Sequence, residues 1–358
     1  MQIGLIGLPQ AGKKTLLRLL TRVDAHTAAP TNGGVIPGIC PVRDPRLERL
    51  TALYAPQKVT PATIQYLLMP DMTKDSAKNR ELLKALALVD VLALVVRAFA
   101  ADAVFHLEGS VDALRDIDMV QAELILNDLL FVEKRLERIA KEQGRRGTGV
   151  DHSQEQALLS RLQAHLNENL PLRTLALEAA EAKLLSGAPL LTTKALVIIL
   201  NVGEDAVQDH RLQEEVTTRW GHWNLRVVQV SAKIEEELAQ LDEPAERAAF
   251  LKELGIGESA IDGLTRVSYE ALGMISYFTV GTDEVRAWTV RRGASAAEAG
   301  GVIHSDIERG FIRAELMKYN DLLSLGSEQA VAAAGKAHLK GKDYLVEDGD
   351  ILSFRFNV

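Results

Sequence analysis

The sequence predicts an α/β protein in which a mostly parallel sheet is interrupted by a helical hairpin and followed by a small α+β module. Three observations predict it. Five short apolar runs, Ile3–Ile6, Thr63–Leu68, Val91–Val96, Ala195–Leu200 and Leu225–Val230, have the continuous hydrophobicity of strands buried on both faces. Helical patterns lie between them, and that alternation predicts a parallel sheet with right-handed crossovers. Next, the period changes: Ile125, Leu129, Val132, Leu136 and Ile139 follow at spacings of 4, 3, 4 and 3, and Leu158, Leu162, Leu166 and Leu170 at spacings of 4. Each set is an apolar seam along one helix. Two antiparallel helices joined at Gly144 to Gly149 bury those seams against each other, so a hairpin spans Asp116–Leu190. Finally, from Phe278 the chain alternates short strands (Val285–Val290, Ile351–Phe356) with glycine turns such as Asp348-Gly349-Asp350, and carries one helix near Ile303–Glu308. The expected domains are therefore 1–115 with 191–277, the insert 116–190, and 278–358.

Composition narrows the function. A length of 358 residues suits two or three domains, and 47% hydrophobic with 25% charged residues is the profile of a soluble globular chain. The net charge of −8 excludes a general basic coat, so nucleic-acid contact must come from a local patch and no DNA specificity is expected. Cys40 is the single cysteine, which fits a reducing, cytoplasmic setting. The longest apolar stretch, Ala85–Val96, contains Asp90 and is too short to span a bilayer, and the N-terminus reads as strand and glycine loop rather than export signal. No membrane association is expected.

The chemistry begins after the first strand. Gly7-Leu-Pro-Gln10-Ala11-Gly12-Lys13 completes a G-x-x-x-x-G-K loop between a strand and a helical run, the context in which backbone N–H groups converge on a phosphate and the lysine reaches its terminal oxygens. The next position should carry a magnesium-ligating hydroxyl, but it is Lys14; Thr15 arrives one residue late, rotated by about 100° on a helix. Ligands of such sheets sit at the strands' carboxyl ends. There lie Asn201-Val-Gly-Glu204 and Ser231-Ala232-Lys233. An Asn can donate to and accept from a purine edge, and Glu204 without a stacking lysine in the Asn201 segment favours adenine over guanine. The same letters also fit an Asn/Gly turn after a strand.

Together these pieces resemble the YchF / Obg-like ATPase family of translation-factor-related P-loop NTPases. The wording matches along nearly the whole chain: Gly7-Leu-Pro9, Asp44-Pro-Arg-Leu47, Val95-Val-Arg97, His106-Leu-Glu-Gly-Ser-Val-Asp112, Leu114-Arg-Asp-Ile117, Glu133-Lys-Arg-Leu136, Ser231-Ala-Lys233 and Tyr277-Phe-Thr279. Glu284–Val290, Gly310–Glu315, Gly341–Tyr344 and Asp348–Val358 resemble that family's TGS domain. The resemblance implies a G-domain-like P-loop ATPase core, an inserted coiled coil, and a ubiquitin-like TGS domain that together meet the ribosome. Asn201 and Glu204 match the family's N-x-x-E, which implies ATP in preference to GTP.

The departures are specific. The family loop reads G-L-P-N-V-G-K-S-T, and here Gln10, Ala11 and Lys14 replace three letters. The D-x-x-G segment after the Thr63–Leu68 strand is Leu68-Met-Pro-Asp71, and the first switch is shortened to Ala25–Thr31. Magnesium loses both expected protein contacts, so no metal site is expected and ATP is bound with slow or absent hydrolysis. Asp71 and Asp75 do not sit where replacement carboxylates are needed. His106 matches the family's water-orienting histidine and is the one catalytic candidate; the alternative is a packed loop histidine.

Partners are expected at two places. Glu133–Arg146 carries six basic and three acidic residues, with Lys134, Arg135, Arg138, Lys141, Arg145 and Arg146 forming a tip that would favour ribosomal RNA phosphates, although a solvated helix face with i, i+4 pairs fits the same letters. The stretch 278–358 holds ten Lys/Arg against twelve Asp/Glu, so RNA contact there falls to a few residues such as Arg291, Arg292, Lys340 and Lys342. The competing reading is a nucleotide-free scaffold that binds ribosomal or protein partners through the coiled coil and TGS domain.

Overall fold

The computed structural model describes residues 1–31, 33–73, 75, 79–101, 104, 106–143 and 152–357. The chain forms two units, one of residues 1–38 and 65–267, the other of residues 39–64 and 268–358. In chain order the elements are β1 (Gln2–Ile6), α1 (Lys13–Thr21), β2 (Ile36–Pro41), α2 (Pro45–Tyr54), β3 (Lys58–Thr60), β4 (Thr63–Leu68), α3 (Arg80–Leu86), β5 (Val91–Ala98), α4 (Ala113–Gln143) and α5 (Ser153–Asn167). Then follow α6 (Ala179–Leu184), β6 (Ala195–Val202), α7 (Arg211–Trp220), β7 (Leu225–Val230), α8 (Ala232–Ala239), α9 (Pro244–Glu253), α10 (Ala260–Ala271), β8 (Met274–Thr279) and β9 (Glu284–Arg291). The chain ends with α11 (Ala296–Ile303), α12 (Ser305–Arg309), β10 (Phe311–Lys318), α13 (Tyr319–Leu325), α14 (Glu328–Ala333), β11 (His338–Lys340) and β12 (Asp350–Phe356).

The first sheet has the order β2-β4-β1-β5-β6-β7. The pairings of β1 with β4 and β5, and of β6 with β5 and β7, are all parallel. All five apolar runs are strands of this sheet. β1 and β5 are buried almost throughout, which their lack of polar alternation requires. The glycine loop therefore leaves the carboxyl end of a central strand, where Ile6 is level with Leu94 of β5. That position surrounds the loop with other strand ends.

The helical insert differs from expectation in a useful way. α4 has 31 residues, which at 1.5 Å per residue makes it about 46 Å long. Its first turns pack Ala113, Ile117, Val120 and Leu124 into the core beneath the sheet. Only beyond them do Ile125, Val132 and Ile139 face Leu158, Leu159, Leu162 and Leu166 of α5. One helix thus serves two cores, and the hairpin proper begins well after Asp116. Leu170, expected on the α5 seam, packs against the sheet core instead. The helix stops at Asn167 and Asn169 takes a left-handed φ of 58°, which turns the chain before Leu170 is reached. Fully buried Asp128 on α4 holds the returning chain by accepting from Leu191 N (2.8 Å), Thr192 N (2.7 Å) and Thr192 Oγ1 (2.7 Å).

The second unit is a mixed sheet of order β11-β10-β12-β8-β9-β3. Tyr277, Val290, Ala299, Leu316 and Leu352 form its core, and Tyr277 Oη donates to Ala299 O at 2.7 Å. Residues 39–64, read from the sequence as part of the first unit, group with this one. They contribute β3, which pairs parallel to β9. They also contribute Arg46, whose guanidinium forks onto Asp44 and reaches Asp348 at 2.8 Å. The separated motifs Asp44-Pro-Arg46 and Asp348-Gly-Asp350 are therefore one clamp. Gly349, at φ 91°, lies against the guanidinium where a Cβ would be crowded. Where one helix was expected near 303–308 there are two, α11 and α12. His304 is extended at φ −162° and caps α12 by accepting from Asp306 N at 3.2 Å.

Candidate functional site

The loop after β1 has the backbone its glycines predict. Gly7 has φ 147° and a Cβ there would strike Val95 O; Gly12 has φ 97° and a Cβ there would strike Asn201 Nδ2. Gln10 takes φ 62°, a left-handed conformation that the smaller Asn of the family pattern adopts more readily. Gly12 caps α1, no side chain bonds to that cap, and the helix's first turn has no acidic residue. Its orphan N–H groups and partial positive charge are thus aimed at the loop. Lys13 is the first helical residue and is only 4% exposed. Its ammonium donates to Gly7 O at 2.8 Å and Leu8 O at 2.6 Å, and meets Asp71 Oδ1 at 2.7 Å. Burial pushes the Lys13 pKa down from the usual lysine value, while Asp71 pulls it back up.

The second and third loops expected at the site are brought to it. Buried Asn201, at the end of β6, donates from Nδ2 to Ala11 O at 3.0 Å and accepts at Oδ1 from Ala232 N at 3.1 Å. It ties the phosphate loop to the Ser231-Ala232 turn. This corrects the expectation that both amide functions face a purine, since one donor and the carbonyl are engaged by backbone. Past Asn201, exposed Glu204 and exposed Lys233 form an ion pair, which raises the Lys233 pKa. Ser231 is buried, and its hydroxyl has no hydrogen-bond partner among the described residues.

Comparison with known proteins agrees with this geometry. A family model named YchF-GTPase_C, described as "Protein of unknown function (DUF933)", matches residues 274–357. The "Ribosome-binding ATPase YchF" of Bacillus subtilis (strain 168) is 40% identical, with 99% of each chain covered. The "Obg-like ATPase 1" of Oryza sativa subsp. japonica is 33% identical over 100% of this chain and 92% of its own. The solved Schizosaccharomyces pombe YchF GTPase superimposes with a TM-score of 0.86 at 30% identity, covering 99% of this chain and 97% of that one. The chain belongs to the YchF / Obg-like ATPase family.

Within that family fold, the residues present do not fit a magnesium ion. Lys14, at the position of the hydroxyl ligand, is an exposed cation, and Leu68, at the position of the D-x-x-G aspartate, is a 4% exposed core residue. From the sequence Asp71 reads only as a carboxylate misplaced for a metal. It does reach the site, not as a metal ligand but as the partner of Lys13. The signal was available: at the last position of the YchF D-x-x-G segment an acid replaces glycine, one strand away from a lysine. Thr15 is half-buried on α1. The Asp75 backbone N–H donates to Thr73 Oγ1 at 3.3 Å.

His106 is not poised to hold a water. Its Nδ1 accepts from Glu108 N at 3.1 Å and its Nε2 meets Asp116 Oδ2 at 3.0 Å. The first bond leaves Nδ1 without a proton, which places the proton on Nε2 toward Asp116. Asp116 is held in turn by Arg115 at 2.8 Å. The ring fastens its loop to the start of α4, so the catalytic expectation gives way to a packed, positioning histidine in this state.

The YchF basic tip is partly neutralised by its own helices. Arg135 is bidentate to Glu155 at 2.6 and 2.8 Å, Arg138 meets Glu142 at 3.0 Å, and Lys141 meets Glu137 at 3.8 Å. Lys134 is exposed, while Arg145 and Arg146 lie outside the described residues. A concavity of about 440 Å³, lined by Gln213, Gln229, Ser231, Glu235 and Arg266, lies between α7, β7, α8 and α10. Its Glu235 is occupied with Ser259 Oγ (2.7 Å) and Ala260 N (2.6 Å) at the start of α10. No helix among the described residues is long and apolar enough to cross a membrane.

Proposed function

We propose that this chain binds a nucleotide at Gly7–Thr15, takes ATP in preference to GTP, hydrolyses it slowly or not at all, and regulates translation at the ribosome. The observation that carries the reading is the joined loop: Lys13 starts α1, whose Gly12 cap leaves the first N–H groups without a side-chain acceptor, and Asn201 ties that loop to the Ser231-Ala232 turn. A polyphosphate there meets helix N–H groups and one buried ammonium. The purine falls between the Asn201–Glu204 and Ser231–Lys233 segments, where Glu204 takes the place a guanine-reading Asp would hold.

Slow turnover follows from what surrounds the phosphates. Phosphoryl transfer relies on positioning and charge stabilisation. Here the supply is Lys13 and backbone amides, with Leu68, Lys14 and a committed His106 at the other stations. The relatives named as ribosome-binding support the partner. Lys134 and the second unit are the surfaces to test, and a cytoplasmic location fits such a partner.

Calorimetry with ATP and GTP tests the nucleotide. Saturable ATP binding at least about tenfold tighter than GTP, lost in Lys13→Ala, supports the reading; equal affinities overturn the base preference. Co-sedimentation with ribosomes tests the partner, and Lys134→Glu with Lys141→Glu should weaken it in a salt-dependent way. The second reading, a nucleotide-free scaffold, draws on the fact that Lys13 already has a carboxylate partner. Ribosome binding by Lys13→Ala that equals wild type with and without ATP would favour it.

A further inference from the structure

Lys13 has three ammonium hydrogens and three acceptors, Gly7 O, Leu8 O and Asp71 Oδ1, so no donor is left over. The two carbonyls belong to the loop itself. The third acceptor arrives from elsewhere: the lysine side chain is 4% exposed and that of Asp71 is 52% exposed. The carboxylate therefore covers the ammonium on its solvent side, the side from which a polyphosphate must approach.

Asp71 is held there by its neighbours. Met69 N donates to Leu5 O at 3.1 Å, Met72 N donates to Gly7 O at 3.3 Å, and both methionines are 2% exposed. The segment after β4 is thus bonded to β1 and to the phosphate loop on either side of Asp71. Gly7 O accepts from both Lys13 and Met72, which couples the lysine's position to that segment.

We propose that Asp71 is a resident anion in the seat of a nucleotide's terminal phosphate, and that it selects for nucleoside diphosphates over triphosphates. This rests on the nucleotide-binding reading above and names which phosphate chain the site accepts. A diphosphate reaches the amides of the loop and α1 while Lys13 keeps its carboxylate. A triphosphate must displace Asp71 from Lys13 and then carry its last charges beside a displaced carboxylate, a like-charge contact of the kind that specificity is built from. Lys14 is exposed on α1 while Lys13 is buried, so the two lysines are not equivalent.

The test is calorimetry on the full chain with ADP and with the non-hydrolysable β,γ-imido analogue of ATP, for wild type, Asp71→Asn and Asp71→Gly. Asp71 is half exposed, so both variants should fold, and circular dichroism melting checks it. The expected result is wild type that binds ADP more tightly than the triphosphate analogue, and variants whose affinity for the analogue rises at least about tenfold while that for ADP changes less than about threefold. An unchanged ratio of the two affinities in variants that bind both overturns the role of Asp71 and leaves nucleotide binding intact. Binding of neither compound by any of the three proteins overturns nucleotide binding itself, and the proposal with it.

Discussion

Lys13 of the first unit and Arg46 of the second are both shielded cations, and they are paired in opposite ways. Arg46 forks two hydrogen bonds onto Asp44, reaches Asp348 with two more, and lies over the Phe278 ring at 5.3 Å. Asp348 is committed further, accepting from Ser276 N at 2.9 Å. Burial works against the charged Arg46, but its bonds to Asp44 and Asp348 more than reverse this and raise its pKa. Lys13 is more deeply buried and has a single carboxylate, which is half exposed. A planar fork with partners fixed at both ends is a structural clamp, whereas a point charge with one solvated partner can exchange it. The difference teaches which ion pair holds the fold and which one is available to a ligand.

The comparison can be broken by measuring folding free energy with urea. Arg46→Ala should be the most damaging, at roughly 3 kcal/mol, because it leaves Asp44 and Asp348 facing each other without their cation. Arg46→Lys should recover less than half of that loss, since an ammonium cannot make the bidentate contact. Asp128→Ala comes next at about 2 kcal/mol, through the orphaned Leu191 N, Thr192 N and Thr192 Oγ1, and hydrogen exchange should report the loss at those amides first. Asn201→Ala should cost roughly 1 kcal/mol by freeing Ala11 O and Ala232 N, with a larger proportional loss of nucleotide affinity than of stability. Lys13→Ala should shift stability by less than about 1 kcal/mol, because a desolvated ammonium is removed and Asp71 returns to water. A Lys13→Ala loss as large as that of Arg46→Ala would erase the distinction between the two cations.

Much of the first unit was legible because buried parallel strands and glycine loops leave a strong local signal. The five strand runs were recognised, as was the loop at Gly7–Lys13, and relatives along the whole chain agree with the family that those motifs resemble. Short or half-exposed elements left no such signal. β3 has three residues, none of them buried, and β2 contains two prolines and a glycine. The hairpin boundary was misplaced for a related reason: α4 keeps one apolar stripe while its partner changes from sheet to helix, and a stripe does not name its partner.

The sequence by itself determined the α/β class, the place of the phosphate loop and the family, since each depends on residues close together in the chain: period, glycine φ and motif spacing. Only the tertiary structure decided that Asp71 sits on Lys13, that Asn201 spends its amide on Ala11 and Ala232, that His106 is tied to Asp116, and that Arg46 clamps Asp348. Those pairings join residues from 10 to 302 positions apart. Which of many possible polar partners a buried group finds is settled by strand register and packing, not by the identity of its chain neighbours.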